Sequence, residues 1–237
     1  LHLGHSVQLL VLKRFQKLGH KVVIVIGDFT ARIGDPTGKN ETRKALSEKE
    51  VKNNIIDFKV QIGKILDLGK TKFEYNSRWL KKLDFEEIVK LGSLKSVQQL
   101  LDRDMFQKRI KSGETIGVHE FLYPLMQGYD SIALKIDGEI GGSDQTFNML
   151  VGRDLMQKIL NKEKFVITTP LLEDPATGKK LMSKSEGDLI SLREKSGDMY
   201  AKVMALPDEA VLKVFELCTE VPTERIEGLK LKNILDV

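Results

Sequence analysis

The 237 residues carry 38 Lys and Arg against 34 Asp and Glu, a formal charge of +4, with 41% hydrophobic and 30% charged side chains. This is the composition of a globular chain long enough to bury a core, and the absence of any apolar run that could span a bilayer argues against a membrane-spanning protein. The single cysteine, Cys218, rules out an internal disulfide and a Cys-rich zinc site, which suits a reducing compartment and makes the cytoplasm the expected location. The mild basicity is compatible with an RNA or polyphosphate partner.

Ser6 to Leu18 places Val7, Leu10, Val11, Phe15 and Leu18 on one helical stripe that stops at Gly19. The run "KVVIVIGDF" then predicts a strand buried on both faces, as in parallel sheets. Helix followed by buried strand suggests a βαβ unit whose first strand lies before residue 1. A Gly/Pro-rich loop, "GDPTGKNETRK", precedes a charged helical region from Leu46 to Leu68, a strand at "TKFEYNS", and a helical, highly charged stretch from Asp84 to Lys111. The apolar "HEFLYPLMQGYDSIALKI" predicts a further helix. A short turn then leads to the glycine-rich "GEIGGSDQ", followed by the helix "TFNMLVGRDLMQKIL", the strand "KFVITTPLL", the loop "EDPATGKKLMSKSEGD" and an all-helical region from Met199 onward. Strands alternating with helices predict an α/β domain built on a doubly wound parallel sheet. The chain opens on Leu rather than Met and stops inside the helical pattern "LKLKNILDV", so it is expected to be a fragment cut at both ends.

Ligands of open parallel sheets sit at the carboxyl ends of strands, which is where the Gly-rich and Lys-rich loops fall. His2 and His5, three apart around Gly4, would project from one face of a helix start, giving donors suited to phosphate and room for close approach. A capping pair is the plain alternative, and no third ligand stands at a spacing that suggests a metal, so no metal site is expected. "GDPTGK" is not a P-loop: three residues separate its glycines, and Asn40 follows Lys39. It leaves Lys39 and Arg43 as cations within reach of an anion and Asp35 as an acceptor for an ammonium group. Lys179, Lys180 and Lys184 sit among small residues, as solvated charge or as polyphosphate contacts. Tyr123, Gln127 and Asp130 share a face of an otherwise apolar helix and need partners if buried, from the protein or from a ligand.

"HLGH" at a helix start with "MSKS" late in the chain resembles the paired signatures of class I aminoacyl-tRNA synthetases. "YPLMQGYD", "GGSDQ" and "GDPTGK" followed by Arg43 resemble the bacterial-type tyrosyl-tRNA synthetases in particular. The resemblance implies a Rossmann-type catalytic domain over 1–190, with a helical insertion near 94–117 at a homodimer interface. An incomplete anticodon-binding helical region over 191–237 would follow. It implies ATP as substrate, with Mg2+ arriving on the nucleotide rather than on dedicated protein ligands, and L-tyrosine and tRNA(Tyr) as partners. His2, His5, Lys39, Arg43 and Lys184 would be catalytic. ATP would be bound by His2, Gly4, His5, Gly142, Asp144, Lys180, Met182, Ser183, Lys184 and Ser185. Tyrosine would be bound by Asp35, Tyr123 and Gln127 at its ammonium group, Gln145 at its carboxylate and Asp130 at its phenol. Leu181 stands where the family signature carries its first lysine, with Lys180 one place earlier, and Thr146-Phe147-Asn148 replaces the Trp-Gly-Asn of many bacterial members. The family also carries a strand before the histidine motif, which is not in this sequence. Two other readings stay open: a non-catalytic RNA-binding paralogue, and a different adenylate-forming or nucleotidyl-transferring enzyme on the same fold.

Overall fold

A computed structural model describes residues 1–33, 48–182 and 189–231. Its elements run α1 (Leu3–Lys17), β1 (Val22–Ile26), α2 (Glu48–Ile62), β2 (Thr71–Tyr75), α3 (Ser77–Leu80), α4 (Phe85–Ser93), α5 (Val97–Leu101), α6 (Asp104–Lys111) and α7 (Val118–Leu134). They continue with β3 (Gly138–Gly142), α8 (Thr146–Leu160), β4 (Phe165–Thr169), α9 (Ser196–Met204), α10 (Asp208–Cys218) and α11 (Thr223–Leu231). No helix among the described residues is long and apolar enough to cross a membrane.

The chain folds into two compact units. One gathers Leu1–Val22, Asp57–Thr71 and Thr169–Val237; the other holds Val23–Ile56 and Lys72–Thr168. In the first, α1 starts from an extended His2 and ends with Arg14 and Lys17 in its last turn, where cations complement the free carbonyls. Its buried face is Leu3, Ser6, Val7, Leu9 and Gln16, and Leu18, expected on that face, lies beyond the helix and is exposed. The left-handed turn at Gly19 (φ 87°) directs the chain away before Leu18 can pack. Gln16 is satisfied inside: its Nε2 donates to Thr71 Oγ1 (2.7 Å) and to the Asp67 carbonyl (3.1 Å). The core joins Leu3 to Leu172, Met182, Ile190 and Val214.

The second unit is built on α7 and α8 around Leu91, Leu125, Ile132, Val151, Leu155 and Met156. The two helices meet at glycines: a Cβ on Gly128 would lie 3.2 Å from the Gly152 Cα and 2.8 Å from Leu155 Cδ1. Pro124 lies inside α7, and three residues into that helix the buried Glu120 carboxylate takes Arg109 Nη1 (2.6 Å) and the Gly117 N–H (2.8 Å). Lys135 and Asn161, at φ 50° and 48°, end α7 and α8 in left-handed caps.

The strands are parallel. The Asn76 N–H, just past β2, donates to the C=O of Ile26, the last residue of β1, and the N–H of Phe165, the first residue of β4, donates to the C=O of Asp137, just before β3, so like ends lie together. Among the described residues they form two two-stranded sheets, β1-β2 and β3-β4, where one continuous sheet was expected. Val25 is 37% exposed, so β1 is not buried on both faces as expected. "GEIGG", to which the sequence assigns no element, is β3, and at Gly141 a Cβ would meet Met149 Sδ at 3.0 Å. The helical stretch from Asp84 to Lys111 is divided into three helices. Asp84 and Ser96 each accept the N–H three residues on and receive Glu87 and Gln99 in return, paired caps that start α4 and α5, while α6 starts after Arg103 without a side-chain cap.

Candidate active site

The chemistry-bearing residues form two clusters, one in each unit. In the first unit, the His2 N–H donates to His5 Nδ1 (3.2 Å) and the two rings meet edge-on with centroids 3.9 Å apart. With Nδ1 accepting, the ring proton of a neutral His5 sits on Nε2, which makes that nitrogen a donor. Gly4 permits this arrangement, since a Cβ there would stand 3.1 Å from His2 Cε1 and Nδ1. The start of α1 is tied to residues far along the chain: the Leu3 N–H donates to Ile190 C=O (2.9 Å) and the Leu192 N–H to Leu1 C=O (3.2 Å). Met182 is buried in the core that contains Leu3, so its side chain packs and only its backbone is left to face a ligand. Lys180 is exposed and bridges Glu173 across a short antiparallel reversal, with the Leu181 N–H donating to Leu172 C=O at 2.9 Å, where a plain loop was expected. Asp35, Lys39, Arg43, Ser183, Lys184 and Ser185 lie outside the described residues.

In the second unit the carboxyl ends of β1 and β2 meet at Asn76. Its buried side chain accepts the Phe29 N–H (3.0 Å) and donates to Thr30 Oγ1 (3.2 Å) and Asp130 Oδ2 (3.4 Å). Beside it, Ser77 donates both N–H (2.9 Å) and hydroxyl (2.6 Å) to Asp28. Trp79, from the one-turn helix α3, donates its indole N–H to Asp130 Oδ1 at 2.7 Å. Burial nonetheless pushes the Asp130 carboxyl up to about 7, against the lowering effect of the Trp79 and Asn76 donors and with help from the negative charges of Glu139 and Asp28.

One and two turns before Asp130 on the same face of α7 stand Gln127 and Tyr123, both half-buried. Gln127 Oε1 accepts from Asn148 Nδ2 (3.0 Å), which also donates to Gln145 Oε1 (3.2 Å). Gly142 closes β3 and is buried; Asp144 and Gln145 follow in a short 3-10 turn that opens α8. The structure thus brings Tyr123, Gln127, Asp130, Gly142, Asp144 and Gln145 into one unit, and His2, Gly4, His5, Lys180 and Met182 into the other. Among the described residues, no three or more His, Cys, Asp and Glu side chains are grouped to hold a metal ion.

Sequence reasoning missed Asn76, Trp79, Asn148, Glu139 and Lys164. The signal for the first two was present: "NSRWL" closes a strand with the only tryptophan of the chain, three residues after an asparagine.

The family described as tRNA synthetases class I (W and Y) matches residues 1–236. The chain belongs to this family. Among its members, the tyrosine–tRNA ligase of Carboxydothermus hydrogenoformans is 51% identical over 98% of this chain and 56% of its own length. The tyrosine–tRNA ligase 2 of Clostridium acetobutylicum is 51% identical over 97% and 57%. This synthetase-family chain therefore spans somewhat over half the length of the curated relatives it matches. A C-terminally truncated mitochondrial tyrosyl-tRNA synthetase of Coccidioides posadasii shares the fold over the whole chain and 71% of its own, with TM-score 0.74 and 27% identity. A tyrosyl-tRNA synthetase of Archaeoglobus fulgidus complexed with L-tyrosine shares it over 92% and 67%, with TM-score 0.67 and 21% identity. The α/β class with parallel strands is the fold of the family.

Proposed function

We propose that the chain is the catalytic part of a tyrosine–tRNA ligase. The enzyme joins L-tyrosine to ATP as tyrosyl-adenylate, releasing pyrophosphate, and passes the tyrosyl group to the 3′ end of tRNA(Tyr). The observation that carries this reading is Asp130, held by two donors on the α7 face that also presents Gln127 and Tyr123. A carboxylate at one end of a helix face and amide and phenol groups at the other match a ligand with a hydroxyl at one end and a charged amino-acid group at the other. In this reading Asp130 accepts a hydrogen bond from the phenolic hydroxyl, Tyr123, Gln127 and Asp35 hold the ammonium group, and Gln145 faces the carboxylate. The substrate carboxylate attacks the α-phosphorus. His2, His5, Lys39, Arg43 and Lys184 supply donors where charge grows on the phosphates, and Gly4, Gly142, Asp144, Lys180, Met182, Ser183 and Ser185 complete the nucleotide site. Such a transfer rests on alignment and cationic stabilisation, and losing one donor typically costs about 3 kcal/mol of transition-state stabilisation.

The same reading assigns 1–190 to the catalytic domain, 191–237 to the start of the anticodon-binding helices, and 94–117 to a homodimer interface, in a cytoplasmic enzyme that takes Mg2+ with its ATP. The test is ATP–pyrophosphate exchange by the full-length protein with tyrosine, tryptophan and phenylalanine. Exchange with tyrosine alone is expected. Exchange with tryptophan alone would move the chain to the other branch of its family, and none from a folded protein would favour the non-catalytic paralogue.

A further inference from the structure

Lys164, at the edge of β4, has a side chain with no solvent exposure, yet it carries no role in the site as described above. Its Nζ donates to Glu139 Oε2 (2.5 Å) and to Ser131 Oγ (3.0 Å). Burial pulls the ammonium pKa down, and the Glu139 carboxylate works against that pull. The other carboxylate oxygen of Glu139 accepts Gln127 Nε2 at 3.3 Å. A chain of polar groups thus runs from Lys164 through Glu139, Gln127 and Asn148 to Gln145, across β4, β3, α7 and α8.

The sense of this chain is fixed at one end. An ionised carboxylate only accepts, so Gln127 must turn its NH2 toward Glu139 and its carbonyl toward Asn148. Asn148 must then present its NH2, which it shares with the Gln145 carbonyl. The arrangement leaves the Asn148 Oδ1 buried without a partner among the described residues. Asn148 on its own would gain by turning that oxygen to a donor, so its orientation is imposed by its neighbours. At the far ends, Gln127 is left with a lone pair of its carbonyl and Gln145 with its NH2. Those are an acceptor for an ammonium group and a donor for a carboxylate.

We propose that the buried Lys164–Glu139 pair is a positioning element that sets the direction of the Gln127–Asn148–Gln145 amide chain, so that the site meets an amino-acid zwitterion with the correct polarity at each charge. This rests on the tyrosine-site reading above and adds two residues to it. Neither touches substrate; both act through the amides.

The experiment uses the full-length protein and three variants: Glu139→Gln, Glu139→Gln with Lys164→Met, and Asn148→Asp. In Glu139→Gln, Lys164 claims the oxygen of the introduced amide, the new NH2 faces Gln127, and two donors collide unless the chain reverses. The KM for tyrosine in pyrophosphate exchange is expected to rise about tenfold or more, with the KM for ATP within about twofold of wild type. In the double variant the introduced amide is released from the lysine and can turn its oxygen to Gln127, and the tyrosine KM is expected to return to within about threefold of wild type. Asn148→Asp, acceptor-only at the next link, should reproduce the loss from the other end. Equilibrium dialysis with labelled tyrosine gives the same ranking without turnover, and a melting curve for each variant separates misfolding from misorientation.

An unchanged tyrosine KM in Glu139→Gln, a rise shared equally with ATP, or a double variant no better than the single would overturn the proposal. A wild-type protein that neither binds nor activates tyrosine would instead bring down the underlying reading, and this proposal with it.

Discussion

Asp130 is a residue whose use and whose cost to the fold oppose each other. Its carboxyl is raised to about 7 in the folded protein, while an unfolded aspartate titrates near about 4. The folded state therefore holds the proton more tightly. Its favourable contribution is complete below pH ~4, declines through the interval, and is gone above pH ~7, where the folded protein carries a buried charge. Asp130→Asn is neutral at every pH and keeps an oxygen for the Trp79 N–H, but it sets an NH2 against that of Asn76. Relative to wild type, its melting temperature is expected to climb between about pH 4 and pH 7 and to level off above that in a thermal melt series. In the same protein, tyrosine activation should fall by about a hundredfold, with the ATP KM little changed. A variant gap independent of pH would mean that the charge of Asp130 is not what strains the fold.

At the scale of elements, the α7–α8 crossing carries the amide chain. Gly128 follows Gln127 directly, and Gly152 lies one turn after Asn148, so the helices approach most closely beside the groups they orient. A Cβ on Gly152 would lie 3.2 Å from the Gly128 Cα and 2.7 Å from Lys164 Nζ. Gly152→Ala is expected to destabilise the protein by about 1–3 kcal/mol, the usual range for overpacking, despite alanine's better helix propensity. It should also raise the tyrosine KM more than the ATP KM; urea melts and exchange kinetics on the same preparation would read both.

This crossing also marks how far the sequence can be read. The limits of α8 follow from its apolar spacing, and α7 is legible to within two residues, because long amphipathic patterns bind each residue to a face. The face shared by Tyr123, Gln127 and Asp130 follows from helical spacing alone. Trp79 and Lys164 were not legible as partners, since 51 residues separate Trp79 from Asp130 and 25 separate Lys164 from Glu139. No local period encodes such a meeting. β3 was hidden because Gly138, Gly141 and Gly142 are turn residues by propensity, and the tight approach of Met149 that gives the small size of Gly141 a use is made from α8 across to β3 rather than within the strand's own sequence.

At the scale of the whole molecule, the first unit is assembled from three distant stretches of chain. Leu3 bonds to Ile190 and packs with Val214, while Lys13 (2.5 Å) and Lys17 (2.7 Å) both reach Glu220. The two lysines pull the Glu220 carboxyl down to about 2. In native-state hydrogen exchange, the amides of Leu3 and Leu192 are expected to open with one common free energy, since each is protected by a bond to a remote segment of the same unit. Leu3 exchanging far faster than Leu192 would show instead that the start of α1 frays alone.

The Leu3–Ile190 bond has a consequence for how the chain is made. A ribosome adding about 5–20 residues per second needs roughly 10–40 s after Leu3 to deliver Ile190. Over that time the second unit, whose segments end at Thr168, can complete itself. α1 meanwhile waits with Leu3 uncovered, since its packing partners Leu172, Met182, Ile190 and Val214 all come later in the chain. The histidines at the start of the sequence are therefore among the last groups to reach their final places.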